Sequence, residues 1–259
     1  MPEGDTVYLT ARTLDAALHG ATLTRCDIRV PQFATVDLTG ETVDEVASRG
    51  KHLLIRAGRA SIHSHLKMEG SWHLYRHGSG WRRPAFQARA ILETRDWVAV
   101  GFELGLLEVL DREKEAERLD YLGPDLLGPD WDAAEAVRRL SARPGRPIAV
   151  SLGDQRNLAG LGNVYVNEVC FLRGILPTRT VGDTDGLPGL VDLAYRLINT
   201  NRDRSQRVTT GNSRRGAHLW VYSRGGQPCR RCGTPIQSGS LGRNELELRN
   251  TYWCPACQV

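Results

Sequence analysis

Apolar and polar positions follow two different rhythms along this 259-residue chain. Near the start, Val7, Leu9, Leu14, Ala17 and Leu18 recur at roughly helical spacing and stop at Gly20. Asp5 or Thr6 can cap the helix they predict. From there to Leu110 the runs are short and strand-like: Ala21 to Val30, Val43 to Ala57, Ser61 to Arg76, Phe86 to Thr94 and Val98 to Leu110. They are rich in β-branched and aromatic residues, and Gly, Pro and Asp separate them. No helical pattern intervenes, which predicts an antiparallel sandwich or barrel. The rhythm changes near Arg112. Asp111 to Arg118 is dense in charge and reads as a linker or exposed helix. Asp130 or Asp132 can cap a helix through Leu140, and a helical hairpin follows around Gly160 and Gly162. Leu190, Leu193, Ala194, Leu197 and Ile198 then mark one face of a helix from about Leu187 to Asn201. After Arg202 the chain is Arg-, Gly- and Ser-rich. The pattern describes a β domain, a helical domain and a small C-terminal module, a multidomain α+β chain.

Charge adds a partner to this picture. The net charge is only +4, but Arg204 to Val259 holds nine arginines, no lysine and two acids. A basic C-terminal fifth on a slightly acidic body predicts a polyanion as partner, set against the alternative of a solvated basic face. No apolar run reaches the 18 residues of a membrane span, and the first residues have acids where a secretory signal would be basic. The expected location is cytoplasmic, with action at the nucleoid.

The six cysteines change the picture further. Cys26 and Cys170 lie in apolar stretches and read as ordinary buried thiols. Cys229 and Cys232 form one CxxC pair, Cys254 and Cys257 another, with 21 residues between. Two such turns let four thiolates converge on one zinc ion, and the alternation of Leu246, Leu248 and Tyr252 suits a β-hairpin between them. A module of this size cannot bury a sufficient core. Structural zinc contributes roughly 10–16 kcal/mol in finger peptides, which is the missing free energy. Four sulfurs close the site, so the zinc is structural, not catalytic.

The opening Met1-Pro2-Glu3-Gly4-Asp5-Thr6, the pair Gly50-Lys51, the run His65 to Gly70, the turn Ala159-Gly160-Leu161-Gly162-Asn163 and the ending Thr251 to Gln258 occur in that order along the chain. Together they resemble the formamidopyrimidine-DNA glycosylase / endonuclease VIII family. The resemblance implies an N-terminal catalytic β-sandwich over 2–112, a helix-two-turn-helix DNA-binding domain over 113–224 and a zinc-ribbon finger over 225–259. It also implies a monomeric base-excision repair enzyme, a bifunctional glycosylase and abasic-site lyase. Its partner would be damaged double-stranded DNA, with single-stranded or forked DNA as further substrates.

The same resemblance assigns roles. Pro2, once Met1 is removed, would be the nucleophile: an α-amine titrates near pH 8, and a secondary amine gives an iminium that is charged without a proton. Glu3, which in another chain would merely complement a helix dipole, would protonate the sugar ring oxygen. Lys51, otherwise an ordinary strand-edge lysine, would contact a phosphate and assist elimination. Asn163 would bind phosphate from a Gly-rich helix start, or simply cap that helix. Arg249 would clamp phosphates at the lesion and aid δ-elimination. Met68 would fill the hole left by a flipped base, with Lys67 beside it, although a methionine at a strand is more often core.

One departure bears on substrate. Formamidopyrimidine-type members carry Asp-x-Arg-x-Phe-Gly where this chain reads Val100-Gly101-Phe102-Glu103-Leu104-Gly105. The opening residues also stand nearer endonuclease VIII. Both imply oxidised pyrimidines, ahead of 8-oxoguanine and formamidopyrimidines. A non-catalytic damaged-DNA-binding protein of the same fold is the alternative from another class, and the presence of Pro2, Glu3 and Lys51 argues against it.

Overall fold

The computed structural model describes residues 2–259, and the chain forms two compact units, one ending at Tyr121 and the other spanning Leu122–Val259. The first begins with α1 (Gly4–Leu18) and continues through β1 (Arg25–Ile28), β2 (Val43–Arg49), β3 (His52–Ala57), β4 (Ala60–His65), β5 (Ser71–Tyr75), β6 (Ala88–Glu93), β7 (Val98–Phe102) and β8 (Leu106–Asp111), ending in the short α2 (Glu115–Leu119). The N-cap of α1 is Glu3, not Asp5 or Thr6, because the chain turns helical directly after it. Three of the expected long strand runs break, one into a hairpin and two where the chain crosses from one sheet to the other. One break is the two-residue turn Gly50–Lys51, across which Arg49 pairs with His52. Gly50 has φ 59°, a value that a tight hairpin turn with glycine first requires. The other breaks are the loops 66–70, between β4 and β5, and 103–105, between β7 and β8.

Two antiparallel four-stranded sheets result, in the orders β2-β3-β4-β8 and β1-β6-β7-β5. Period-two alternation decides which side chains enter the sandwich between them. Leu53, Ile55 and Ala57 of β3 and Ile62 of β4 share one apolar cluster with Trp72, Ala90, Leu92 and Ala99 of the other sheet and with Val7, Ala11, Leu14 and Leu18 of α1. The helix is tied to β2 by the Val46 N–H, which donates to Asp15 Oδ1 at 2.7 Å.

The opposite face of the first sheet is polar: His52, Arg56, Ser61, His63 and His65 point there. The charged segment read as a linker or exposed helix is the strap over this face. Glu115 accepts from Arg56 Nε and from Ser61 Oγ at 2.9 and 2.7 Å, and Arg118 Nε donates to Glu108 Oε1 at 2.7 Å. Its charges are matched by side chains that one face of β3, β4 and β8 presents, so the strap is docked and its inner edge is half-buried.

The second unit contains α3 (Ala133–Ser141), α4 (Ile148–Leu152), α5 (Asn163–Leu172), α6 (Leu187–Asn201), β9 (Gln237–Leu241) and β10 (Arg249–Trp253). Asp132 caps α3, its side chain accepting from the Glu135 N–H at 3.0 Å. Leu190, Val191, Ala194 and Ile198 of α6 meet Tyr165, Val166, Val169 and Cys170 of α5 in one core. β9 and β10 pair antiparallel, from Arg249 opposite Leu241 to Trp253 opposite Gln237. This is the hairpin the alternation between the CxxC pairs predicts. Phe171 at the end of α5 packs with Val221, Cys229, Ile236 and Cys254, so the cysteine turns share a small core with a helix.

Candidate active site and nucleic-acid interface

The candidate residues of the first unit sit on three local devices. Pro2 and Glu3 form the entry to α1. Glu3 is fully buried, and its N–H donates to Thr6 Oγ1 at 3.5 Å, the backward half of a capping box. Lys51 is half-buried in the β2–β3 turn. Lys67 and Met68 ride the β4–β5 loop, where Met68 is 61% exposed and so is not core. Cross-strand pairing of His52 with His65 brings the Lys51 turn beside the start of that loop.

Between these lysines lies a set of rings that sequence reading did not single out. Tyr121 Oη lies 2.9 Å from His52 Nε2, His52 Nδ1 lies 2.7 Å from His63 Nε2, and His63 Nδ1 lies 2.7 Å from Glu108 Oε1. His65 stands edge-on to His52, with 5.0 Å between ring centroids, and its Nδ1 accepts from the Lys67 N–H at 2.9 Å. Burial disfavours the charged rings. It pushes His52 down to about 3, helped by repulsion from His63, His65, Lys67 and Arg118. It pushes His65 to about 4, helped by Lys67 and Lys51, and lowers His63 against the pull of Glu108. Burial also opposes ionisation of Glu108, but the Arg118 and His63 hydrogen bonds outweigh it and hold the carboxyl below its usual range.

Neutral rings fix the direction of every bond in this chain. An ionised Glu108 only accepts, so His63 Nδ1–H donates to it. His63 Nε2 is then an acceptor, and His52 Nδ1–H donates to it. His52 Nε2 is left to accept from the Tyr121 hydroxyl. Such an array can pass a proton from Tyr121 toward Glu108 by one shift in each bond. The signal in the sequence was the pair His63 and His65 at period two, opposite His52. It becomes legible only once the strand register is known.

In the second unit, Asn163 opens α5 after the Gly-rich turn, as its motif implies. Its Nδ2 donates to the Asn250 carbonyl at 2.8 Å, next to Arg249, which is exposed at the start of β10. The sites of two candidate residues, 86 positions apart, are thus joined by one hydrogen bond. Asn167, one helical turn on, accepts from the Tyr252 N–H at 2.6 Å. Glu168 anchors the approach to the cysteines. Its buried carboxylate takes the N–H groups of Trp220, Val221 and Tyr222 at 2.7–2.9 Å and the Thr209 hydroxyl.

The ligand atoms of Cys229, Cys232, Cys254 and Cys257 lie within 4.8 Å of one another, and the Cys232–Cys254 and Cys229–Cys257 sulfur separations are 3.4 and 4.0 Å. A tetrahedral ion with bonds of about 2.3 Å needs sulfurs about 3.8 Å apart, so the four thiols fit a metal ion. Cys170 is fully buried, its thiol pushed up to about 12 by desolvation, and Cys26 is half-buried. Neither belongs to this cluster. Among the described residues no helix is long and apolar enough to cross a membrane.

Residues 1–103 match the formamidopyrimidine-DNA glycosylase N-terminal domain. The whole chain is 56% identical to the DNA-(apurinic or apyrimidinic site) lyase Nei2 of Mycolicibacterium smegmatis, covering 99% of that protein. It is 55% identical to endonuclease 8 2 of Mycobacterium bovis, each covered in full. A solved structure of MutM in complex with DNA containing carbocyclic 8-oxo-G has the same fold, with TM-score 0.83, full coverage of both chains and 24% identity. Full-length identity above one half to proteins of the endonuclease 8 type, beside a quarter to MutM, makes this chain a member of the formamidopyrimidine-DNA glycosylase / endonuclease VIII family, on its endonuclease VIII branch.

Proposed function

We propose that the protein is a bifunctional DNA glycosylase and abasic-site lyase that removes oxidised bases, pyrimidines first, from damaged double-stranded DNA. The observation that carries this reading is the 56% identity, over the full chain, to a protein named a DNA-(apurinic or apyrimidinic site) lyase. The buried Glu3 directly after Pro2 supports the catalytic half, because it sets a carboxyl group next in the chain to the attacking nitrogen.

In this reading Met1 is removed and the Pro2 nitrogen attacks C1′ of the damaged nucleotide. The C1′–base bond breaks and the base leaves with the electron pair, taking up a proton. Glu3 protonates the ring oxygen, the sugar opens, and the nitrogen lone pair completes the iminium. That cation acidifies the C2′ hydrogen. Its removal, assisted by Lys51, expels the 3′ phosphate, and loss of the C4′ hydrogen expels the 5′ phosphate. Hydrolysis of the iminium frees Pro2. Asn163 and Arg249 hold phosphates, Arg249 aiding the second elimination, and Met68 fills the vacated stack with Lys67 beside it. Absence of the Asp-x-Arg-x-Phe-Gly motif favours pyrimidine lesions. The metal held by Cys229, Cys232, Cys254 and Cys257 is zinc, which carries β10 and therefore Arg249. A thiolate metal site suits the reducing cytoplasm.

The test is the N-terminal nitrogen. Protein that retains Met1, verified by mass spectrometry, has an amide there. It is expected neither to excise oxidised pyrimidines nor to form a borohydride-trapped adduct with abasic DNA, while still binding DNA. Normal cutting by fully blocked protein would move the nucleophile elsewhere, to Lys51 first. Lys51→Ala separates the two: trapping persists in part if Pro2 attacks and vanishes if Lys51 does.

A further inference from the structure

The chain has four phenylalanines, and three are committed to packing. Phe102 and Phe171 are fully buried, and Phe33 is half-buried against the sandwich core. Phe86 is 77% exposed. One exposed aromatic is ordinary by itself. Its mounting is not. Phe86 sits in a 3-10 turn, Ala85–Gln87, that follows Pro84. Arg29 Nη1 donates to the Ala85 carbonyl and Arg89 Nη1 to the Phe86 carbonyl, both at 3.2 Å. The backbone is gripped on both sides while the ring is left in water.

The same end of the sandwich carries Met68. Arg83 Nη1 donates to the Glu69 carbonyl at 3.1 Å and pairs with Glu103 at 2.9 Å, and the Glu103 N–H donates to the Gln87 carbonyl at 2.9 Å. Three loops, 66–70, 76–87 and 103–105, are therefore fastened together. The fastening is tight: a Cβ on Gly70 would stand 2.5 Å from the Leu66 carbonyl oxygen, and one on Gly105 would overlap the Lys67 side chain. Lys67 and Glu103, neither a glycine, hold φ of 54° and 45°. Strain of this kind persists only where surrounding contacts impose it, and it gathers at ligand-gripping segments.

We propose that Phe86 is a second wedge, stacking on the base left without a partner when the lesion is turned out of the duplex, while Met68 fills the lesion strand. This rests on the DNA glycosylase reading above. The occupant follows from the chemistry: two rigidly mounted apolar tips suit the faces of unstacked bases, and the exposed Arg82 with Lys67 suits the phosphates around them. Leu104 stands at the Phe of the Asp-x-Arg-x-Phe-Gly motif and Phe102 at its Arg, and both are buried, so neither offers an apolar tip to DNA. The exposed ring comes from a different loop.

The test uses full-length protein with a free Pro2 and 2-aminopurine placed opposite an abasic site. Binding of wild-type protein should change the 2-aminopurine fluorescence. Phe86→Ala should lose that change and should lower the ratio of duplex to single-strand borohydride trapping by about tenfold, the order expected for one lost stacking contact. Phe86→Trp should restore both, which a merely structural role would not predict. A Phe86→Ala protein with the wild-type ratio and fluorescence overturns the proposal. Wild-type protein that changes the fluorescence yet forms no trapped adduct keeps the wedge and removes the lyase reading instead.

Discussion

Each unit buries ionisable side chains, and the two solve the cost of doing so in opposite ways. In the second unit, Glu168 is held by donors that cannot be lost: three backbone N–H groups and a hydroxyl converge on its carboxyl oxygens. In the first, His52 and His63 give up their charge and pass hydrogen bonds along a line ending at Glu108 and Tyr121, with His65 edge-on beside it. A carboxyl group whose oxygens are saturated with donors is a pin, with no alternative partner. A file of neutral rings, each donating on one side and accepting on the other, has a second arrangement in which every proton has moved one step. The pin lies under the segment leading to the cysteine turns, where position is what the fold must guarantee. The file lies between Lys51 and Lys67, beside residues proposed to move protons and hold phosphate.

The metal cluster is where that contrast breaks with the largest effect. Cys254→Ala should abolish stoichiometric metal, measured by atomic absorption, and unfold the β9–β10 hairpin, since the metal is worth roughly 10–16 kcal/mol in finger peptides. The histidine file belongs to the other unit and should keep its titration. Full metal content in the variant contradicts the four-cysteine assignment.

Glu168→Leu strikes the pin itself. It strands the N–H groups of Trp220, Val221 and Tyr222, and at about 1–3 kcal/mol per unsatisfied buried donor the loss should be on the order of 5 kcal/mol. Urea unfolding followed by tryptophan fluorescence measures it. A loss under about 1 kcal/mol would mean that water replaces the carboxylate and that it pins nothing.

The smallest effect sharpens the other side. His52 and His65 take up protons near pH 6.5 when unfolded but only near 3 and 4 when folded. With folded values lowered, the unfolded chain binds more protons in between. Stability is therefore complete above about pH 6.5 and declines as pH falls, by roughly 1 kcal/mol per pH unit for each ring that stays neutral. Glu108, Glu115 and Asp154, all held below their usual range, add the same sign of loss only at lower pH. A His52→Gln, His65→Gln protein should show a flatter urea midpoint between pH 6.5 and 4.5, whatever its absolute stability. An unchanged slope would mean that these rings are solvated and charged in the folded protein.

Much of the molecule was legible in the residues. The α6 boundaries follow from apolar spacing alone, because a helix facing a core must repeat near every third or fourth residue. The cysteine cluster follows from two CxxC pairs, because thiolates so spaced have few other uses. The family, and with it Pro2, Glu3, Lys51, Asn163 and Arg249 as candidates, came from short ordered motifs. Local chemistry also gave the β-rich first half, since β-branched runs between Gly and Pro have one good use.

What sequence could not supply was pairing across distance. Whether Asp111 to Arg118 hangs in solvent or straps a sheet depends on Arg56 and Ser61, about 55 residues earlier, facing the same way as Glu108. Whether His63 is a surface residue or the middle of a proton file depends on the register that sets it opposite Glu108 and diagonal to His52. Phe86 reads in sequence as one more strand residue, and only the folded loops leave it outside while Phe102 goes in. Residue type and spacing determined the elements and the chemistry on offer, because both act within a few residues along the chain. The tertiary structure alone decided which of those groups meet, because hydrogen bonding and burial are set by neighbours in space.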